Sequence, residues 1–231
     1  KSKKSTNKLK TMYKQIAIDG PVASGKTVVG KILSENLGWR FLDTGLMYRA
    51  ITWLALDNQI DASDHLGLEN LAMNSQIALI PSCRGDRLIV NKNDITDELR
   101  NRSVEATVSF ISQIPGVRMA LISKQREIAN TGSIVMVGRD IATKVLKYAD
   151  VKVFLTASSD ERAKRRFSQA SAMNPDITLK IVKADLERRD LIDSQNKESP
   201  LLPADDSVII NTDNMEIGKV VQKIMQLLIT E

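Results

Sequence analysis

The sequence predicts an α/β fold built on a five-stranded parallel sheet flanked by helices, and three observations predict it. Five short runs read as strands: IAID at 16–19, WRFLD at 39–43, IVMV at 134–137, VKVFL at 151–155 and SVIIN at 207–211. The last three are apolar and β-branched without polar alternation, as strands covered on both faces are. Long segments with apolar residues at helical spacing separate the runs, and alternating strands and helices argue for parallel crossovers. The chain has 231 residues, 42% hydrophobic and 26% charged, with 11 Gly and 6 Pro, which excludes collagen-like, disordered and mini-protein classes. A single cysteine, Cys83, excludes a disulfide framework and a cysteine zinc site, and a single histidine, His65, excludes a histidine-rich metal centre. Any metal should be held by oxygen. No run of about 18 apolar residues is present, so no spanning helix, secretory signal or membrane partner is expected, and the expected location is cytoplasmic.

Residues 1–11, KSKKSTNKLKT, carry five lysines and no acid and read as a disordered basic tail ahead of one domain over 12–231. A leader, a processed targeting remnant and a native extension all fit it. The first strand is followed by a Gly-containing loop and a helix from near Lys26 to Leu37, with Gly38 as its C-cap. The second strand leads into a helix over about 46–56. Residues 60–113 differ in character: QIALI at 76–80, a polar SCRGDR turn and LIVN at 88–91 predict hairpins with an exposed face. This stretch reads as an insert, leaving 15–59 and 114–231 as the core. Polar residues 168–176 lie between two further helical patterns, starting near Ser159 and Ile177, and suggest a short lid over about 166–177. His65 is expected in a loop, and Trp39, Tyr48 and Trp53 in packing roles.

GPVASGKT at 20–27 satisfies the phosphate-loop pattern and stands where its mechanism needs it, after a strand and before a helix. Gly20 and Gly25 let the backbone of Pro21, Val22, Ala23 and Ser24 curl so that N–H groups face phosphate oxygens. The positive end of the helix from Lys26, Thr27 and Val28 adds to that field. Lys26 supplies a mobile cation, and Thr27 a hydroxyl for Mg2+. A phosphate loop does not by itself separate a GTPase, a motor ATPase and a small-molecule kinase. DTGLMYR at 43–49 places Asp43, Thr44 and Arg49 at the carboxyl edge of the predicted sheet, and GRD at 138–140 brings Arg139 and Asp140 to the same edge. Arg189 and Asp193, and likewise Arg162 and Arg166, stand four apart on helix faces. Read alone, these charges also fit solvated helix faces and surface ion pairs.

In this order the motifs resemble bacterial cytidylate kinases: IAIDGP with the phosphate loop, FLDTGLMYR, IPGVRMALISKQR at 114–126, IVMVGRDI, VKVFLTASSDERAKRR, RRDLIDS and SPLLPADD at 199–206. The resemblance runs from about Ile16 to the C-terminus. It implies a nucleoside monophosphate kinase fold whose insert binds the acceptor, with ATP and Mg2+ phosphorylating CMP and dCMP in a monomer. It implies Thr44, Ser109, Arg118 and Asp140 around the CMP, the last three nearest the base, where a carboxylate suits the exocyclic amine of cytosine. Arg49 and Arg139 would clamp the acceptor phosphate, Arg189 and Asp193 its phosphate or ribose, and Arg162 and Arg166 the donor phosphates. With Lys26, these arginines make up the catalytic set, since phosphoryl transfer needs positioning and charge neutralisation above all. The chain departs from the family pattern at Val28, at Ala142 and at Asn196, which stands where the family generally carries an arginine.

Other classes remain to be separated. A GTPase would need a guanine-reading Asn-Lys-x-Asp stretch at a strand end, and the residues from Asn91 to Asp94 fall in the insert instead. Another small-metabolite kinase or a non-kinase nucleotide-binding protein would share the loop. The net charge of +5 suggests nucleic acid, but the five lysines of residues 1–11 account for all of it and leave 28 basic and 28 acidic side chains over 12–231. No nucleic-acid partner is expected.

Overall fold

The structure, a computed structural model, describes residues 14–80, 87–172, 176–196 and 198–229. Residues 1–11, Cys83 and most of its polar turn, and Lys197 lie outside the described residues. Five parallel strands form the main sheet: β1 (Gln15–Asp19), β2 (Arg40–Asp43), β6 (Ile134–Gly138), β7 (Val151–Thr156) and β8 (Val208–Asn211), in the order β2-β6-β1-β7-β8. β1 is central. Its register runs from Gln15 beside Ile134 to Asp19 beside Gly138, which aligns the carboxyl ends of β1 and β6.

The three inner strands β1, β6 and β7 are covered on both faces, which is why they show no polar alternation, whereas β8, expected to be covered too, is an edge strand with Val208 and Ile209 exposed. Ile16 and Ile18 point to the face packed by α1 (Lys26–Leu37) and α8 (Ile217–Ile229), through Val29, Leu33, Val221 and Ile224. Ala17 points to the opposite face, where α2 (Thr44–Asp57) and α5 (Pro115–Ala129) contribute Met47, Ile51, Val117 and Leu121. Gly38 closes α1, its N–H bonding back to the Glu35 carbonyl while the Trp39 N–H reaches the Ser34 carbonyl. α2 starts two residues before the apolar pattern does, because the Asp43 carboxylate accepts the Gly45 N–H and caps it. Trp39 and Trp53 are partly buried packing residues, as expected.

The 60–113 stretch holds the expected hairpins and adds helices that the sequence did not announce. An antiparallel sheet of β3 (Ile77–Ile80), β4 (Arg87–Val90) and β5 (Asn93–Asp94) is present, but two helices, α3 (His65–Asn74) and α4 (Arg102–Ile111), frame it. His65 therefore opens a helix, capped by Asp64, rather than sitting in a loop. Ten residues with a glycine and two asparagines carry too short a period to announce α3, and α4 is rich in β-branched residues that suggest strand. α3 packs on α5 and α4 on α2, so this region rests on the core helices. Much of the expected lid is also helical: α6 (Ser159–Ser171) continues through Arg166 to Ser171, and α7 (Leu179–Gln195) follows. Val22 of the phosphate loop packs with Ala163, Val182 and Leu186, tying the loop to α6 and α7. No helix among the described residues is long and apolar enough to cross a membrane.

Candidate active site at the carboxyl edge of the sheet

The loop between β1 and α1 needs its glycines for different reasons. A Cβ on Gly20, at φ 149°, would lie 2.0 Å from the Leu155 carbonyl oxygen, so only glycine lets the chain leave β1 beside β7. Gly25, at φ 96°, is the N-cap of α1 in the left-handed region that glycine adopts without strain. Ala23 shares that region at φ 60°. Lys26 folds back into the loop, donating to the Pro21 carbonyl at 2.6 Å and the Ser24 hydroxyl at 3.4 Å. Burial pushes its amine well below the ordinary value, and the Arg139 charge pushes the same way. Thr27 is exposed and donates to the Asp43 carboxylate at 2.8 Å. Val28 is exposed beside it.

Two arginines from distant elements reach this loop. Arg139 donates to the Gly20 carbonyl at 3.1 Å and to Asp193 of α7 at 2.7 Å. Arg162 donates to the Val22 carbonyl at 3.3 Å and to Asp190 at 2.6 Å. The turn that carries Arg139 is fixed from below. Asp19, at the end of β1, accepts the N–H groups of Ile141 and Ala142, both at 2.8 Å, at the start of a π-helical turn (Ile141–Val145). Burial raises the Asp19 carboxyl to about 6, with the two N–H groups pulling it down and Asp140 pushing it up.

A second group lies under α4. Arg118 donates to Asp140 and, at 2.8 Å, to the Ser112 carbonyl, with its guanidinium 5.6 Å from the Tyr48 ring centre. Arg49 of α2, Arg166 of α6 and Arg189 of α7 all pair with one carboxylate, Glu105 of α4. Burial alone would raise the Glu105 carboxyl, but the Arg49 charge and the Arg189 hydrogen bond outweigh it and hold it at about 2. Thr44 is buried and donates to the Val137 carbonyl at 3.0 Å, so its hydroxyl hydrogen is committed to the sheet. Ser109 is half-buried on α4, its carbonyl accepting from Gln113.

A family model described as cytidylate kinase matches residues 16–230. The chain belongs to the cytidylate kinase family. A protein named cytidylate kinase from Geobacillus sp. (strain WCH70) is 41% identical over 213 residues, 92% of this chain and 95% of that one. Another of that name, from Streptococcus pneumoniae (strain 70585), is 45% identical over 211 residues, 91% and 95% of the two chains. A solved structure from Eubacterium ventriosum, titled an uncharacterized protein, matches with a TM-score of 0.53 at 14% identity over 94% of this chain and 99% of that one, which bears on the fold alone.

The sequence placed Asp43, Asp140 and Asp193 at this edge but left three acids that organise the site unassigned: Asp19, Asp190 and Glu105. Asp19 had a signal, a carboxylate ending an apolar strand, since a buried acid is rare unless its oxygens are bonded. Asp190 and Glu105 had none, because their partners are 28 residues away or more.

Proposed function

We propose that this member of the cytidylate kinase family transfers the γ-phosphoryl group of ATP to CMP and dCMP, with the phosphate loop holding the donor and the 44–49, 105–118 and 138–140 segments holding the acceptor. One observation carries the residue assignments: Arg139 and Arg162, carried beyond the two strands that flank β1, both donate to carbonyls of the phosphate loop, at Gly20 and Val22. Cations of two other elements thus meet where transferring phosphate would sit.

In this reading, the loop N–H groups and Lys26 bind the donor phosphates. A phosphate beside Lys26 favours the ammonium form that burial disfavours. Arg162 and Arg166 neutralise the donor, and Arg49, Arg139 and Arg189 hold the acceptor phosphate, with Asp193 keeping Arg139 in place. Asp140 offers a carboxylate oxygen to the exocyclic amine of cytosine, where uracil would present a carbonyl. Thr44 and Ser109 line the acceptor side, Thr44 by fixing the end of β6. The paired oxygens of Thr27 and Asp43 suit a hard cation that keeps most of its water, so they would hold Mg2+. When bound, Mg2+ supplies charge neutralisation on the phosphate oxygens. The test is a coupled assay with ATP and each of CMP, dCMP and UMP. CDP and dCDP formation above UDP formation is expected, and absence of turnover on both cytosine nucleotides would overturn the reading.

A further inference from the structure

Three of the arginines assigned to phosphates, each on a different helix, meet on the carboxylate of Glu105. Arg49 Nη1 lies 2.9 Å from Oε1, Arg166 Nη2 lies 3.3 Å from the same oxygen, and Arg189 Nη2 takes Oε2. Among the described residues, Glu105 is the sole hydrogen-bond partner of the Arg166 side chain. Arg189 Nε is buried with no hydrogen bond, 3.0 Å from Asp185 at an angle that makes none. The cluster thus has three cations sharing one carboxylate and an idle donor, with Asp185 beside Arg189 alone: Glu105 does with two oxygens what a phosphate would do with three.

We propose that Glu105 is a positioning and specificity-determining residue that keeps phosphoryl transfer dependent on the acceptor. Its carboxylate stands where the acceptor phosphate binds and keeps Arg166 from the donor until a phosphate dianion displaces it. The inference rests on the kinase reading above. A dianion on Arg49 and Arg189 attracts both more strongly than a monoanion and repels Glu105. Arg166, with no other partner among the described residues, then turns to the donor. Water carries no charge and leaves Glu105 in place, so ATP bound without acceptor meets an incomplete arginine set. The reaction held back is hydrolysis: a water oxygen bonds to the γ-phosphorus, the bond to the β–γ bridging oxygen breaks, and ADP, inorganic phosphate and a proton are released.

The experiment follows ADP release from ATP and Mg2+ without CMP, in the unaltered protein and in Glu105→Gln, which keeps the shape and removes the charge. Acceptor-free hydrolysis should rise by on the order of tenfold in the variant, and calorimetry should show CMP binding tightened by a similar factor with cytidine binding unchanged. In the unaltered protein, phosphite dianion should stimulate hydrolysis, a result that needs no variant to fold. Unchanged or slower hydrolysis with weaker CMP binding, or no stimulation by phosphite, would make Glu105 a structural strut and overturn the proposal. CDP formation by the unaltered protein is measured in the same series. Its absence overturns the kinase reading, whereas CDP formation with either contrary result overturns the role of Glu105 alone.

Discussion

Arg118 of α5 and Asp140, the last residue of the GRD stretch, form a buried ion pair with side chains only 9% and 7% exposed. The pair uses one oxygen of Asp140; the other makes no hydrogen bond among the described residues and is the one offered to a cytosine amine. An isolated buried cation is strongly destabilising, so the pair fixes both the base contact and the packing of α5.

Asp140→Asn should therefore act twice. Removing the counter-charge of Arg118 should destabilise the fold by about 3 kcal/mol, read as a lower midpoint in a denaturant melt. KM for CMP should rise at least tenfold, and the preference for CMP over UMP should narrow, because an amide can donate to the uracil carbonyl. An unchanged CMP to UMP ratio in steady-state kinetics would remove Asp140 from base reading.

Asp19 gives a pH signature in stability. Its carboxyl is raised from the ordinary 3.8 to about 6, so between these values the folded protein holds a proton that the unfolded chain has lost. Stability from this group must fall as pH rises through that window, by about 3 kcal/mol in all, and stay reduced above it. Asp19→Asn should flatten the dependence between pH 4 and 6 in denaturant melts. It also offers one carbonyl oxygen to two N–H groups, so KM for CMP should increase as the turn bearing Arg139 and Asp140 loosens. Parallel pH profiles for the two proteins would contradict the raised value.

Asn196 follows Asp193 by three residues at the end of α7, placing it near the helix face that carries Arg189 and Arg139's partner. Its side-chain oxygen accepts the N–H groups of Glu198 at 3.0 Å and Ser199 at 3.1 Å, turning the chain into the SPLLPADD segment. Asn196→Arg should raise turnover on CMP by adding a cation near the clamp, while losing about 1 kcal/mol with the turn. A rate equal to or below that of the unaltered protein, with folding intact by circular dichroism, would show that the turn matters more than the charge.

The sequence by itself determined the parallel sheet, because its inner strands are buried on both faces and must be largely apolar, and it located the phosphate loop, because that chemistry depends on one contiguous strand, turn and helix. It also supplied every cation of the site. Only the tertiary structure decided which acid each cation meets: Asp193 with Arg139, Asp190 with Arg162, and Glu105 with three arginines at once. Those pairs join residues at separations from 28 to 84, so no local period encodes them. The helices of 60–113 were hidden for a related reason, since short segments take their conformation from what they pack against rather than from their own propensity.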